Sequence, residues 1–259
     1  MSGLYAEERR QAIALMARER GRVAVADLAR RFQVTSETIR RDLDALASLG
    51  VLSRVHGGAV PAESVRLVES TVPARESELS AEKQRIAMAA LHYLPVGRDT
   101  TLLLDAGTTV GRFAELIPAA RVTTIVTNSL TTASSLSARE AADIQMLGGR
   151  VRGITQAAVG SATVDALRGL RVDVVFLGTN GFTSTHGFST PDPAEGAVKR
   201  AMVGSARQVV ALADASKFGS EYLVSFAEAS EVDVLVTDTA LSPFAQQSLT
   251  EQGIEVVLA

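Results

Sequence analysis

The sequence predicts a two-part α/β protein: a small N-terminal module of three short helices closed by a hairpin, then a larger α/β domain built on a mainly parallel sheet. Three observations carry that prediction. The first sixty residues hold apolar side chains at helical spacing in three stretches, separated by Gly21 and the Gln33-Val34 turn and ended by Gly50. From residue 101 onward, apolar runs of strand length alternate with helical patterns. Charge divides in the same way: residues 1–60 carry ten Arg, no Lys and seven acids, net +3, whereas residues 61–259 carry 16 bases against 22 acids, net −6. A basic head on an acidic body suits nucleic-acid binding joined to recognition of something else, although a chance imbalance gives the same arithmetic.

Composition removes several classes of function. The 259 residues include no cysteine, which excludes disulfide frameworks, thiol catalysis, iron–sulfur clusters and thiolate zinc sites together. His56, His92 and His186 are scattered, without His-x-x-x-His or Glu-flanked spacing, so neither metal nor cofactor is expected. The opening MSGLYAEERR has no apolar signal core, and no segment approaches the roughly 18 apolar residues of a spanning helix. A cytoplasmic location with no membrane partner is the expectation.

In the head, residues 6–20 place Ile13, Met16 and Ala17 on one helical face with charges opposite, and Gly21 stops the helix. A short β-like Val23-Ala24-Val25 leads to a second helix over 26–32, and Gln33-Val34 turns the chain before Thr35, a good N-cap. The third helix, SETIRRDLDALASL, aligns Ile39, Leu43, Leu46 and Leu49 in one stripe. Its other face offers Ser36, Glu37, Thr38, Arg40 and Arg41. Short polar side chains at a dipole-positive helix N-terminus, with arginines that reach phosphates or guanine edges, are what a recognition helix requires. Residues 51–60, VLSRVHGGAV, alternate into a hairpin with Gly57-Gly58 available for positive φ, a wing carrying Arg54 and His56. The module reads as a winged helix-turn-helix over 1–60 that docks double-stranded DNA through Thr35, Ser36, Glu37, Thr38, Arg40, Arg41, Arg54 and His56; the competing reading is a packing module whose arginines are solvated surface.

The run ADLARRFQVTSETIRRDLDALASLGVLSRVHGGAV resembles the DNA-binding head of the DeoR family of bacterial transcription regulators. Its most specific parts are Thr38-Ile39-Arg40-Arg41-Asp42-Leu43 and the Arg54-x-His56-Gly57-Gly58-Ala59 ending. Thr35 stands where many relatives have Ser, and either residue caps a helix.

Residues 61–80 are rich in Pro, Ser and Glu with no sustained period, and are read as the linker between a head over 1–60 and a body over 81–259. The resemblance makes this stretch the link from head to sensor, with Arg75 to Leu79 leading into a helix near Ala81.

The body's predicted strands are TLLL, TIVT, IQML, VDVVFLG, VVALA and VDVLVT. Open α/β sheets bind ligands beyond the carboxyl ends of their strands, so the residues that follow each run carry most weight. After TLLL, Asp105-Ala106-Gly107-Thr108-Thr109 precedes a helix from about Val110. Gly107 permits close backbone approach, and the N–H groups and hydroxyls there suit a phosphate, with Asp105 available to a sugar hydroxyl; an Asp-Gly turn with Thr caps is the plainer alternative. Other small polar endings are Thr127-Asn128-Ser129, Gly148-Gly149 and Gly178-Thr179-Asn180-Gly181. Lysine use is a separate signal: the chain has 23 Arg and three Lys, so each Lys invites a specific reason such as a compact ammonium. Lys217 follows VVALA, within Asp214-Ala215-Ser216-Lys217-Phe218-Gly219, and Lys199 lies one helical turn after Glu195, a spacing equally expected of a surface ion pair. Lys83 reads as solvated.

The DeoR resemblance extends through Asp105-x-Gly107-Thr108-Thr109, Thr127-Asn128-Ser129, Gly148-Gly149, Glu195-x-x-x-Lys199-Arg200-Ala201, Asp214-x-Ser216-Lys217-Phe218-Gly219 and Thr237-Asp238, covering almost the whole chain. It implies a sensor domain similar in fold to ribose-5-phosphate isomerase and coenzyme A transferases. A phosphorylated sugar would bind Asp105, Gly107, Thr108, Thr109, Thr127, Asn128, Gly148, Gly149, Gly178, Gly181, Glu195, Lys199, Asp214 and Lys217. It further implies a homo-oligomer, dimer or tetramer, that represses a sugar uptake or catabolism operon until the effector accumulates. The Tyr5-Ala6-Glu7-Glu8-Arg9 opening resembles regulators of fructose operons and points to fructose 1-phosphate. The rival is a sugar-phosphate isomerase using Asp105 or Glu195 as base. The chain lacks that isomerase's Asp-Gly-Ala-Asp-Glu motif, a Gly-x-Ser-x-Gly elbow, a Walker loop and a Gly-x-Gly-x-x-Gly fingerprint, so no catalytic residue is assigned.

Overall fold

Helical spacing in the first sixty residues becomes α1 (Ala6–Arg20), β1 (Val23–Ala24), α2 (Val25–Phe32), α3 (Ser36–Ser48), β2 (Leu52–Val55) and β3 (Gly58–Pro61). The computed structural model describes residues 6–49, 51–55, 57–61, 71–97, 99–118, 121–139 and 142–259. The three strands pair antiparallel in the order β1-β3-β2. Ile13, Met16, Ala17, Leu28, Ile39, Leu43, Leu46 and Leu52 close a core of the head's own. Gln33, in the left-handed region at φ 54, ends α2, and the Thr35 side chain caps α3 by accepting from Thr38 N. Leu49, expected on the buried stripe, is 72% exposed because α3 stops at Ser48 and Leu49 lies past its last turn. Inside the head, the buried Asp42 carboxylate accepts from Arg9 Nε at 2.6 Å and Arg10 Nε at 3.2 Å, tying α1 to α3.

The wing's two glycines serve different ends. Gly57 has the left-handed φ of 76°, whereas Gly58 does not, and is needed for proximity: a Cβ there would fall 2.0 Å from the Val23 carbonyl oxygen. Arg54 lies in β2 opposite Ala59. Its side chain, and His56 entirely, lie outside the described residues.

In the stretch read as a linker without a period, residues 72–77 form a short helix, α4 (Val72–Ser77), with a proline in its first turn, where a missing N–H costs nothing. The body follows as α5 (Ser80–Ala90), β4 (Thr101–Leu104), α6 (Thr108–Leu116), β5 (Thr124–Thr127), α7 (Leu130–Ala138), β6 (Asp143–Met146), β7 (Arg150–Arg152), β8 (Ala157–Val159), α8 (Ser161–Arg168), β9 (Val172–Gly178), β10 (Gly181–Thr183), β11 (Gly187–Thr190), α9 (Pro193–Ser205), β12 (Ala206–Leu212), β13 (Val224–Ala227), β14 (Val234–Thr237), α10 (Pro243–Thr250) and β15 (Glu255–Leu258). Seven strands make one parallel sheet in the order β15-β14-β12-β9-β4-β5-β6. All six predicted strands lie in it. The seventh, β15, the β7-β8 hairpin and the antiparallel β10-β11-β13 sheet were not foreseen.

Alternation along the strands divides the core in two. Leu102, Leu104, Phe176, Val210 and Val236 face α5 and α6 through Ile86 and Phe113, while Leu103, Val175, Leu177, Ala211 and Leu235 face Val198, Met202 and Leu249 of α9 and α10. The chain builds outward from β4 to β5 and β6, then returns to the other side of β4 for β9, β12, β14 and β15. The order therefore reverses between β4 and β9, and a crevice opens at such a switch point.

Head and body touch at the end of α1. Ser242 Oγ donates to the Glu19 carbonyl at 3.1 Å, the Arg20 guanidinium lies 5.2 Å from the Phe244 ring centroid, and Gly21 abuts Gly219.

Candidate functional site

The N-terminal half of α3 presents the predicted DNA-contact face. Ser36, Glu37, Arg40 and Arg41 are exposed. Arg40 and Arg41 each lie 3.6 Å from the Glu37 carboxylate. Exposed pairs of this kind are worth about 0–1 kcal/mol, so either arginine can exchange its partner for a phosphate at little cost. Thr35 and Thr38 have capping roles: their hydroxyls lie 2.9 Å apart and Thr35 Oγ1 accepts from Thr38 N.

At the switch point, the carboxyl ends of β4 and β9 bring together groups far apart in sequence. Asp105, 1% exposed, accepts from Gly178 N at 3.0 Å and from Lys199 Nζ, which also donates to the Gly178 carbonyl at 2.9 Å. Burial pushes the Asp105 carboxyl above its ordinary range, opposed by the Lys199 ammonium and the Gly178 N–H. Lys199 thus pairs across the sheet with Asp105. Its helical neighbour Glu195 instead accepts from Arg152 Nη1 at 2.5 Å and from Thr155 Oγ1, so the surface pair that the spacing suggested does not form. Arg152 also lies 3.3 Å from Asp192, which caps α9 by accepting from Glu195 N.

Lys217 enters from the turn after β12. Its ammonium donates to the Thr179 carbonyl at 2.9 Å and lies 3.7 Å from Asp214, itself buried and bonded to Ser216 Oγ. Asp238 fixes that turn by accepting from Ala215 N at 2.8 Å. Burial pushes the Lys217 ammonium below the ordinary lysine range; Asp214 opposes this, and the charges of Lys83, Arg75 and Lys199 add to it.

Two of those cations were not among the predicted site residues. Lys83, read as solvated, is 3% exposed and donates to the carbonyls of Arg75 and Glu78, clamping the end of α4. Arg75 extends from α4 with Nε and Nη2 buried and without hydrogen-bond partners. Arg75 was visible in the sequence only as part of a polar stretch. The signal that singles it out, a desolvated guanidinium among other cations, exists only in three dimensions.

The remaining predicted residues divide by what they already do. Gly107 caps α6 with an extended backbone and open space where a Cβ would be, and α6 begins at Thr108, two residues earlier than expected. Thr108 is half-buried there and Thr109 buried. Asn128 donates through Nδ2 to the Ala158 carbonyl at 3.3 Å, and its buried Oδ1 has no partner. Thr127 donates to the Leu104 carbonyl at 2.7 Å and accepts from Ser129 N. Gly148 accepts from Thr163 Oγ1, Gly149 would place a Cβ 2.2 Å from that oxygen, and Gly181 would place one 2.3 Å from the Ser220 carbonyl oxygen. Thr127, Gly149 and Gly181 therefore have packing or bonding reasons of their own.

Among the described residues no group of three or more His, Asp or Glu could hold a metal ion, and no helix is long and apolar enough to cross a membrane. A winged helix-turn-helix joined to an α/β domain with paired charged groups gathered at its sheet's switch point defines the class: a DNA-binding regulator with a sensor domain. Comparison with known proteins agrees. Residues 9–65 match the DeoR-like helix-turn-helix domain and residues 78–239 the DeoR C terminal sensor domain. The chain belongs to the DeoR family of transcriptional regulators. It is 35% identical over 254 residues to the HTH-type transcriptional regulator GlpR of Haloferax volcanii, spanning 98% of both chains. It is 33% identical over 252 residues to the glycerol-3-phosphate regulon repressor of Escherichia coli, spanning 97% of this chain and 98% of that protein. Among solved structures, ribose 5 phosphate isomerase A from Neisseria gonorrhoeae aligns with a TM-score of 0.38 at 15% identity over 52% of each chain.

Proposed function

We propose that this protein is a repressor whose head, residues 1–60, binds operator DNA through Ser36, Glu37, Arg40, Arg41 and the wing residues Arg54 and His56. Its sensor, residues 81–259, binds a phosphorylated sugar in the crevice between β4 and β9. The observation that carries the sensor reading is Arg75. A guanidinium with Nε and Nη2 buried and unpartnered, beside an ammonium already disfavoured by burial and neighbouring cations, calls for an anion. A phosphate bonded to Arg75 and Lys217 would satisfy the donors and favour the charged form of Lys217, with the N-terminus of α6 at Gly107 to Thr109 contributing backbone N–H groups. Polar acceptors for sugar hydroxyls lie alongside in Asp105, Asp214 and the Oδ1 of Asn128. Residues 61–80 then do more than link, since α4 delivers Arg75 to the pocket. Of the two carboxylates an isomerase could use as base, Glu195 is occupied in anchoring Arg152 and Asp105 is paired with Lys199, which favours sensing over turnover.

Repressors reading repeated half-sites act as dimers or larger homo-oligomers, and that assembly is proposed here too. Fructose 1-phosphate is the first effector to test. Glycerol 3-phosphate, suggested by the name of the E. coli relative, is the second. The experiment is fluorescence anisotropy on DNA from the protein's own promoter region, at fixed salt, titrated with both compounds and with other ketose, aldose and polyol phosphates. Specific binding released by one of them supports the proposal. Specific binding that none of them releases, or no specific binding at all, overturns it.

A further inference from the structure

The turn that brings Lys217 into the pocket has a second end against the head. Two residues beyond Lys217, Gly219 packs on Gly21 so closely that a Cβ built on either would lie 2.5 Å from the other's Cα. Both glycines are in the left-handed region, at φ 71° and 84°, where other residues are strained, so the contact has no room for a side chain and no easy substitute. The segment between the two ends is stiff. Phe218 meets the Phe182 ring edge-on at 5.7 Å, and Gly219 N donates to the Phe182 carbonyl at 3.0 Å. On the head side, Gly21 ends α1, and α1 is locked to α3 through the buried Arg9–Asp42 pair.

We propose that the Gly21–Gly219 contact is a latch through which the pocket controls the head. Docked, it holds α1, and with it α3, in the orientation that engages operator DNA. A phosphate that draws Lys217 away from the Thr179 carbonyl carries Phe218 and Gly219 with it and undocks the head. Among the described residues, the head also meets the body through Ser242 to Glu19 and Arg20 over Phe244. A ligand that binds the undocked form more tightly than the docked one shifts their populations. The latch rests on the sugar-phosphate reading of the pocket.

Linkage gives it a signature that damage to the head cannot imitate. Any substitution that favours the undocked form weakens operator binding and, by reciprocity, tightens effector binding. Gly21→Ala forces the two backbones apart, and Phe244→Ala removes a partly exposed ring from the same interface without touching pocket or head core. In the full-length protein, operator affinity is read by anisotropy, and binding of fructose 1-phosphate, glycerol 3-phosphate and the other ketose, aldose and polyol phosphates of the panel by calorimetry. Gly21→Ala is expected to bind operator about tenfold more weakly and its sugar phosphate several-fold more tightly, with Phe244→Ala moving both the same way by less. If Gly21→Ala misfolds, Phe244→Ala decides alone. Parental values for both ligands in the folded variants overturn the latch, as does weaker operator binding with unchanged or weaker sugar-phosphate binding. If the parent itself binds none of the sugar phosphates in the panel, the pocket reading has failed and the latch falls with it, a result visible before any variant is made.

Discussion

Replacing Arg75 by methionine is expected to make the protein more stable and less responsive at once. The methionine keeps most of the apolar stem but removes a guanidinium whose Nε and Nη2 are buried without partners. An unsatisfied buried donor costs about 1–3 kcal/mol. Two such donors, less some packing lost with the head group, give an expected gain of about 1–2 kcal/mol in the ligand-free protein. For a chain of this size that is about 2–4 °C in Tm per kcal/mol. Removing the charge also relieves its repulsion of Lys217, acting in the same direction. Ligand binding moves the other way. Two charge-assisted hydrogen bonds at about 1.5 kcal/mol each amount to about 3 kcal/mol, or roughly 100-fold in Kd. Thermal unfolding without ligand and calorimetric titration of the effector found by anisotropy read the two effects separately. A variant that is less stable than its parent, or that binds with parental affinity, refutes the assignment of Arg75 to the anion.

Arg40→Ala and Arg41→Ala should each weaken operator binding and lower the salt slope by about one, leaving effector binding unchanged; anisotropy across a salt series and calorimetry check both halves. Effector affinity should fall as pH rises from 7 towards 10, because Lys217 titrates below its ordinary 10.5 in the free site and a bound phosphate favours its charged form. Lys217→Arg, charged throughout this range, should flatten that dependence, and an unaltered slope would remove Lys217 from the anion's contacts. Asp173 is held below the usual carboxylate range by the N–H and hydroxyl of Thr101, each at 2.9 Å, and by Arg207. Its folded pKa being depressed, its contribution is present above the unfolded value and lost as pH falls through the folded one. Asp173→Ala should therefore cost about 1–2 kcal/mol in urea unfolding at neutral pH, with the gap narrowing as pH falls below 3.8.

The head was legible almost residue by residue because its signals are local: helix spacing, a Thr cap and glycines at the wing. Leu49 escaped because a periodic stripe does not announce its own last turn. In the body, the strands with continuous apolar runs were legible, while β10, β11 and β13 were not, since short segments such as Gly181–Thr183 carry too few residues for a period to develop. The candidate site was half legible. Asp105, Lys199 and Lys217 follow from strand endings and from the scarcity of lysine, but the pairing of Lys199 with Asp105 is a product of sheet order. Helical spacing had suggested Glu195 instead. Arg75 and Lys83 were hidden because burial of a charged side chain in a polar stretch is decided by which surface that stretch packs against.

The Asp105–Lys199 pair joins residues 94 positions apart, and Lys217 lies further along still. The winged head, with a core of its own, is complete by Pro61. At about 5–20 residues per second, roughly 10–30 s of synthesis separate that point from the emergence of Lys217. Every newly made molecule therefore acquires its helix-turn-helix head before its sensor is complete, and a ribosome stalled in between would leave a head with no sensor to answer to.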